Sequence, residues 1–215
     1  MKQITFYLDF ISPYAYLAFE KLPQALQGLS YAVEYRPLLF AGLLKHHGQL
    51  GPAEIPPKRE WTYRQVLWLA HHHGMPMQMP AGHPFNPLPL LRLAVACGQG
   101  GTINRFVAET LLRHVWRGGA DAVDGTRLQE VTQLLAPARD PSSDEVKAEL
   151  RANTDEAIAR GVFGVPMLVV DDKLFWGLEA LPMLRDCLEG GAWFSSGDWE
   201  SASALPAAMQ RAVKP

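Results

Sequence analysis

Cysteine is scarce in this chain, and neither sign of charge is in clear excess. Only two cysteines occur in 215 residues, Cys97 and Cys187, and neither belongs to a C-x-x-C motif. We therefore expect small buried side chains at these positions, and no dithiol redox centre. Lys and Arg nearly balance Asp and Glu, which leaves a formal net charge of −2. This balance gives no electrostatic reason to expect nucleic acid or an acidic membrane as a partner.

Long apolar runs are missing as well. No apolar stretch is long enough to cross a bilayer, so we expect no membrane contact of that kind. The N-terminus lacks the charged-then-apolar order of a signal peptide, and residues 4–8 predict a strand instead. We therefore expect a cytoplasmic protein. The length allows one domain with a large insertion or two small domains.

The histidines do not have the spacing of a metal site. They occur mainly at 46–47, 71–73 and 83. Consecutive residues on a helix point in different directions, so a run of three cannot converge on one ion. No histidine pair four residues apart is joined by a carboxylate. We expect packed or solvated histidines and no metal.

Hydrophobic periodicity predicts strand–helix–strand at the start of the chain, strand–strand–helix at its end, and only helices between. The first two strands should be parallel, because one helix separates them. This order is the layout of a thioredoxin-like α/β fold with a large all-helical insertion. We expect the thioredoxin-like domain in residues 1–41 and 160–190, the insertion in 42–159 and a C-terminal tail in 191–215, wrapped over the surface or placed at a subunit contact. The predicted strands are 3–8, 30–39, 167–170 and 173–176; the main predicted helices are 13–27, 60–73, 90–97, 102–116, 124–135, 142–160 and 179–188.

Several helix ends and turns carry recognisable signals. Asp124 is a candidate N-cap. Ser142 with Glu145 three residues later has the spacing of a capping box. Gly161 is placed to end the helix that begins near Ser142, by forming its C-terminal turn. Between residues 41 and 57 the glycines and prolines predict a loop with one helical turn near residues 43–46.

Ser12 stands where the first strand gives way to the first helix. Pro13 suits the first helical position, where its missing N–H costs nothing. The free N–H groups of that turn and the helix dipole suit an anion such as a phosphate, a carboxylate or a thiolate. The alternative is that Ser12 is only a helix cap.

A second anchor lies at residues 161–166, directly before an apolar strand. Pro166 cannot serve in a β-ladder, and in a cis peptide it would turn the main chain of Val165 outward. An exposed N–H and C=O beside a helix N-terminus can bind a peptide by strand addition. The alternative is an ordinary trans proline that ends a loop.

Together these stretches resemble one known family. They are YLDFISPY at 7–14, YRP at 35–37, HPFNPL at 83–88, GVFGVP at 161–166 and FWG at 175–177. The chain is similar from about residue 3 to 190 to the 2-hydroxychromene-2-carboxylate isomerases, which are related to kappa-class glutathione transferases and DsbA-like oxidoreductases. These isomerases depend on glutathione, so the resemblance implies glutathione as cofactor. The absence of C-x-x-C at positions 12–15 separates the chain from the oxidoreductases.

The resemblance implies a glutathione site. Ser12 would donate a hydrogen bond to the glutathione sulfur and favour the thiolate. The main chain of Val165, beside Pro166, would pair with the cysteinyl part. Leu178 and Glu179 stand where the kappa pattern has serine–aspartate, so Glu179 would take the γ-glutamyl ammonium group and Leu178 would offer only its backbone.

Two further positions match glutathione-binding residues of the kappa class. Gln49 stands where that class has asparagine. Lys58 would meet the glycyl carboxylate, or alternatively is a solvated surface lysine.

The acceptor site would involve two more residues. Asn86 resembles a residue that lines it, or forms a turn before Pro87. Arg92 would meet the carboxylate of a small aromatic substrate, or pairs with an acid elsewhere. Trp and Met residues of the insertion, around 61–79, would pack in the core or wall an aromatic pocket.

The activity implied is ring opening of 2-hydroxychromene-2-carboxylate and cis–trans isomerisation to trans-o-hydroxybenzylidenepyruvate, in aromatic degradation. Reversible addition of a thiolate would make the double bond single and allow rotation. Alternatives are a kappa-class-like glutathione transferase that consumes the thiol, a DsbA-like oxidoreductase or isomerase of another pathway, and a glutathione- or peptide-binding module without activity. Relatives imply a homodimer.

Overall fold

A mixed four-stranded sheet forms the base of the molecule. The computed structural model describes residues 1–206 and 208. The strand order is β2-β1-β3-β4. β1 pairs with β2 in parallel, from Lys2 opposite Tyr31 to Leu8 opposite Pro37, and β3 runs antiparallel to both β1 and β4. The strands are β1 Lys2–Leu8, β2 Tyr31–Pro37, β3 Met167–Val170 and β4 Lys173–Trp176.

Nine α-helices surround the sheet in the part of the chain that is described. One connects β1 to β2, six lie between β2 and β3, and two follow β4. They are α1 Pro13–Ala25, α2 Phe40–His46, α3 Pro56–His72, α4 Leu88–Ala96, α5 Arg105–Trp116, α6 Gly125–Leu135, α7 Asp144–Ala159, α8 Leu181–Glu189 and α9 Asp198–Ser203. The predicted strand–helix–strand and strand–strand–helix units are both confirmed, as is the helical insertion between them.

Central strand β1 is buried on both faces. Ile4, Phe6 and Leu8 belong to the large core under α1, α4 and α5, while Tyr7 belongs to a smaller cluster on the other face. This explains why apolar residues run together at the end of the strand instead of alternating. The sheet therefore holds the end of β1, and the turn after it, from both sides.

Several helix boundaries differ from the predictions. α4 begins at Leu88 and not at residue 90, and α5 begins at Arg105 and not at residue 102, because Asn104 is its N-cap. α2 has seven residues from Phe40, where a single turn near residues 43–46 was predicted. α3 begins at Pro56 and not at residue 60, because prolines are accepted in the first turn of a helix. A 3₁₀ turn, Leu178–Ala180, precedes α8, so the α-helix begins at Leu181 and not at residue 179.

The capping box predicted at Ser142 is wrong. Ser143 is the N-cap of α7, and its hydroxyl accepts a hydrogen bond from the Val146 N–H at 3.3 Å. The Ser142 hydroxyl instead donates to Asp140, which also accepts from the Ser142 N–H. Because Ser142 is bound in the turn at Asp140, Ser143 caps the helix instead, one residue later than predicted. Asp124 caps α6 as predicted.

The hairpin at the sheet edge turns through two aspartates. Asp171 and Asp172 have φ values of 47° and 65°, in the left-handed region that a two-residue hairpin turn needs. Beyond α8, the rings of Phe194 and Trp199 pack against Phe175 of β4, at centroid distances of 6.0 and 5.7 Å. This part of the predicted tail covers the sheet edge. Residues 207 and 209–215 lie outside the described residues.

No described helix combines the length and the apolar composition that a bilayer crossing requires.

Candidate active site

Ser12 is the N-cap of α1 and is almost completely buried, with 7% of its surface exposed. Its hydroxyl oxygen accepts a hydrogen bond from the Ala15 N–H at 3.2 Å, as helix caps do. The same hydroxyl donates to the Val165 carbonyl at 3.3 Å. Ser12 therefore joins the start of α1 to the loop that precedes β3, and the two predicted anchors meet at one point.

The loop before β3 presents an unused amide. Val165–Pro166 is a cis peptide, as predicted, and the Pro166 carbonyl accepts from the Gly177 N–H at 3.0 Å. Within residues 1–206, the Val165 N–H donates no hydrogen bond, and neither does the Tyr14 N–H in the first turn of α1. A hydroxyl and two free amide donors are thus grouped where an extended peptide with an anionic group could bind.

A buried carboxylate fixes the turn that leads into Ser12. Asp9 is completely buried, and burial raises its pKa from the ordinary value near 3.8 to about 7. Its two oxygens accept hydrogen bonds from the Ile11 N–H at 3.1 Å and the Phe40 N–H at 2.9 Å. The Asp9 carbonyl accepts from the Ser12 N–H at 3.0 Å. Sequence reasoning gave Asp9 no role, because a carboxylate at a strand end resembles an ordinary solvated residue.

One face of α3 is directed toward the start of α1. The Tyr14 hydroxyl donates to Gln65 Oε1 at 2.6 Å. Lys58, Thr62 and Gln65 occupy positions i, i+4 and i+7, which lie on one face of a helix. Lys58 is exposed, one turn closer to the N-terminus of α3 than Thr62. It therefore lies on the side of α3 that faces the Ser12 region.

The chain after β4 contributes to the same region. Leu178 is buried with 6% of its surface exposed, so only its backbone is free to bind a ligand. Glu179 is exposed, and it lies close enough to Tyr14 for its charge to add to the rise in the Tyr14 pKa that burial mainly causes. Glu179 is therefore on the α1 side of the hairpin.

Gln49 is connected to the site only through its loop. Its side chain is exposed, and its N–H donates to the Leu44 carbonyl at 2.9 Å. Two residues earlier, His47 Nε2 donates to the Val162 carbonyl at 3.2 Å, in the segment that leads to Val165. This histidine, predicted to be packed or solvated, holds the two loops together.

Asn86 and Arg92 are not linked to Ser12 by a described hydrogen bond. Asn86 is exposed, and its Oδ1 accepts from the Leu88 N–H at 3.1 Å, which is the turn-forming alternative. Arg92 is partly buried, and its Nε has no partner. Within the described residues Arg92 also forms no ion pair, so its charge is available to a carboxylate from outside.

An aromatic pair beside the loop was missed by sequence reasoning. Phe163 and Trp176 meet edge to face with ring centroids 5.0 Å apart, and both are exposed, by 38% and 57%. A Cβ on Gly164 would lie 2.8 Å from Trp176 Nε1, so the indole covers the chain directly before Val165. The only sequence signal for this pair was one aromatic residue in each of two motifs, GVFGVP at 161–166 and FWG at 175–177. These motifs are not adjacent in the sequence.

Neither cysteine is placed for catalysis. Cys97 and Cys187 are free, partly buried thiols, and burial raises the pKa of both above the ordinary value. Among the described residues, no group of three or more His, Cys, Asp or Glu side chains is arranged to hold a metal ion.

Comparison with known proteins agrees with this architecture. The DSBA-like thioredoxin domain matches residues 3–189. A 2-hydroxychromene-2-carboxylate isomerase of Sphingobium xenophagum is 32% identical over 87% of this chain and 98% of its own length. Glutathione S-transferase kappa 2 of Caenorhabditis elegans is 27% identical over 87% of this chain and 92% of its own.

Among solved structures, a 2-hydroxychromene-2-carboxylate isomerase superposes with a TM-score of 0.72 at 21% identity, covering 95% of this chain and all of that one. This match supports the fold. The resemblance drawn from the motifs is confirmed: the chain belongs to the DSBA-like thioredoxin family, within the group that includes the 2-hydroxychromene-2-carboxylate isomerases.

Proposed function

We propose that this protein is a glutathione-dependent isomerase of the 2-hydroxychromene-2-carboxylate type. The observation that carries the proposal is the position of Ser12, whose hydroxyl lies at the N-terminus of α1 against the Val165 carbonyl. A serine there cannot form a disulfide, so a thiol bound beside it stays available as a nucleophile. The relative of 32% identity is named as a 2-hydroxychromene-2-carboxylate isomerase.

The residues around Ser12 fit glutathione. The Val165 N–H is free among the described residues to pair with the cysteinyl main chain. Lys58 supplies a cation for the glycyl carboxylate, and Glu179 supplies an anion for the γ-glutamyl ammonium group, aided by the backbone of Leu178. Gln49 adds an exposed amide from the α2–α3 loop. Charges of opposite sign are thus available for the two ends of the tripeptide.

Glutathione, when bound, supplies a sulfur nucleophile whose reversible addition to the conjugated carbon makes the double bond single. The Ser12 hydroxyl turns from the Val165 carbonyl to donate to the sulfur. This exchange costs little, because the hydrogen bond that it gives up is long at 3.3 Å. The Tyr14 N–H and the dipole of α1 add positive potential at the same place, which favours thiolate over thiol.

The aromatic substrate is placed by the insertion. Arg92, which forms no ion pair in the described part of the chain, binds the substrate carboxylate. Asn86 lines the acceptor site through the amide nitrogen that its turn leaves unused. These two contacts orient the conjugated carbon toward the sulfur, and orientation is a large part of the catalysis.

A kappa-class-like glutathione transferase is the second candidate, because a kappa relative matches 87% of the chain. The two candidates differ in the fate of the thiol. An isomerase returns glutathione after each turnover, whereas a transferase consumes it.

The proposal includes an expectation for the whole protein. It acts in the cytoplasm as a homodimer, with a thioredoxin-like domain in residues 1–41 and 160–190 that binds the thiol. The helical insertion, residues 42–159, binds the substrate.

The test follows chromene ring opening by absorbance, with and without glutathione, and measures free glutathione over many turnovers. We expect turnover only with glutathione, and a constant glutathione concentration. Loss of glutathione in proportion to product would support the transferase. Equal rates without glutathione would contradict both.

A further inference from the structure

The segment between α3 and α4 contains a histidine with no role in the chemistry above. His83 is partly buried, and its ring packs against Trp116 and Phe85 at centroid distances of 5.6 and 6.1 Å. Its Nε2 lies 2.9 Å from the Ile11 carbonyl. The Tyr63 hydroxyl lies 2.8 Å from His83 Nδ1 and also 2.8 Å from the His83 carbonyl.

These contacts fix the tautomer of His83. A carbonyl oxygen only accepts, so Nε2 carries the hydrogen and donates it to Ile11. Nδ1 then carries no hydrogen and accepts from the Tyr63 hydroxyl, which shares its single hydrogen between Nδ1 and the His83 carbonyl. Burial lowers the pKa of His83 below its usual value, although the hydrogen bond to Ile11 opposes this, and the neutral ring is consistent with both contacts.

The Ile11 carbonyl belongs to the peptide group that contains the Ser12 nitrogen. Other groups hold the preceding part of the turn: Trp116 Nε1 donates to the Phe10 carbonyl at 3.0 Å, and Asp9 accepts from the Ile11 N–H. Among the described residues, His83 is the side chain that binds the last carbonyl before Ser12. It comes from the insertion, so it connects the substrate-binding part of the chain to the thiol-binding serine.

We propose that His83, oriented by Tyr63, is a positioning residue for Ser12. It holds the Ile11–Ser12 peptide so that the Ser12 hydroxyl and the first amide of α1 converge on the sulfur of the bound thiol. This inference rests on the proposed function. A packing role alone would affect the stability of the fold but would leave the ionisation of the thiol unchanged, so the two roles are separable.

Four variants separate them. His83→Phe keeps a flat ring beside Trp116 but removes the donor to Ile11, and His83→Gln keeps an N–H donor. Tyr63→Phe keeps His83 but removes the hydroxyl that orients it. His71→Phe is the matched control, since His71 is an exposed histidine on α3 whose side chain makes no hydrogen bond in the described part of the chain. Unfolding in urea reports the stability of each variant.

The readout is the pKa of the thiol of bound glutathione, titrated by the ultraviolet absorbance of the thiolate. In His83→Phe we expect this pKa to rise by about half a unit to one unit, because the donors lose alignment. We expect kcat to fall about tenfold and KM for glutathione to change by less than about twofold. His83→Gln should recover part of both losses, Tyr63→Phe should show a smaller rise, and His71→Phe should match the unmodified protein.

An unchanged thiol pKa and kcat in His83→Phe would overturn the positioning role. If His83→Phe does not fold, an unchanged thiol pKa in Tyr63→Phe would overturn it equally. If glutathione forms no thiolate on the unmodified protein, the proposed function fails first, and that result is recognisable before any variant is made.

Discussion

At the scale of single residues, Ser12 combines two roles that are usually separate. As an N-cap it accepts from the Ala15 N–H, and as a donor it reaches the Val165 carbonyl in the loop before β3. The capping bond uses a lone pair of the hydroxyl oxygen and leaves its hydrogen free to be redirected. The serine can therefore hold the helix and bind an anion at the same time. Its place was predictable, since Pro13 after an apolar strand marks a helix start.

The support for Ser12 was not predictable. Asp9, His83 and Trp116 come from three distant parts of the chain and meet at the same short turn. Their sequence neighbourhoods resemble a strand end, a loop and an amphipathic helix. Only the packing of the insertion on the sheet brings them together, and single-sequence patterns do not contain that packing.

The buried Asp9 carboxyl predicts a pH dependence of stability. Its pKa is about 7 in the folded chain and near the ordinary value when unfolded, so the folded state binds more protons between these values. Its contribution is therefore fully present below about pH 4 and is lost as pH rises through about 7. Asp9→Asn lacks this ionisation. We expect the free energy of unfolding of the unmodified protein, measured in urea, to fall relative to Asp9→Asn between about pH 5 and pH 8. Parallel profiles of the two proteins would contradict the assignment.

At the scale of elements, α7 connects the sheet to the loop before α5. Asn153 on α7 is buried, and its Nδ2 donates to the Pro37 carbonyl at 2.8 Å and to the Gly101 carbonyl at 2.7 Å. The helix was predicted nearly in full, but this connection was not, because one asparagine in a polar helix gives no periodic signal. The starts of α3, at Pro56, and of α7, at Asp144 after its cap Ser143, moved through local proline and turn chemistry.

Asn153→Ala should therefore destabilise the fold. It leaves two carbonyls without their donor in a buried place, and we expect the free energy of unfolding to fall by about 2–3 kcal/mol. Arg151→Ala, on an exposed position of the same helix, should change it by less than about 0.5 kcal/mol. Urea denaturation measures both. Equal effects of the two substitutions would show that the Asn153 contacts carry little energy.

At the scale of the whole molecule, the order of elements was the strongest part of the prediction. Strand–helix–strand and strand–strand–helix specify the parallel β1–β2 pair and the β3–β4 hairpin, because parallel strands need a crossover and hairpin strands do not. The antiparallel pairing of β1 with β3 joins the two units, and these rules do not contain it. The sequence does not specify how the insertion folds back on the sheet. That return places α3 beside α1, where Gln65 accepts a hydrogen bond from the Tyr14 hydroxyl.

Since the proposed glutathione site takes residues from the sheet and from the insertion, glutathione should stabilise the whole fold. At about 100 times its dissociation constant it should add about 2.7 kcal/mol to the free energy of unfolding.

Lys58→Ala should weaken glutathione binding about tenfold by removing a charged partner of the glycyl carboxylate. Arg64→Ala, an exposed cation on the same helix, is the control and should leave binding unchanged. Thermal unfolding at several glutathione concentrations tests this, and an unchanged affinity in Lys58→Ala would remove Lys58 from the site.

Two serine caps separate stabilisation of the thiolate from capping of a helix. Ser12→Ala and Ser143→Ala each remove an N-cap hydroxyl, from α1 and α7, and each should cost about 1 kcal/mol of stability. Only Ser12 is proposed to stabilise the thiolate. We predict that Ser12→Ala lowers glutathione-dependent kcat/KM for chromene opening about 100-fold, whereas Ser143→Ala stays within about twofold of the unmodified protein. Near-normal turnover by Ser12→Ala would show that the Ser12 hydroxyl does not stabilise the thiolate.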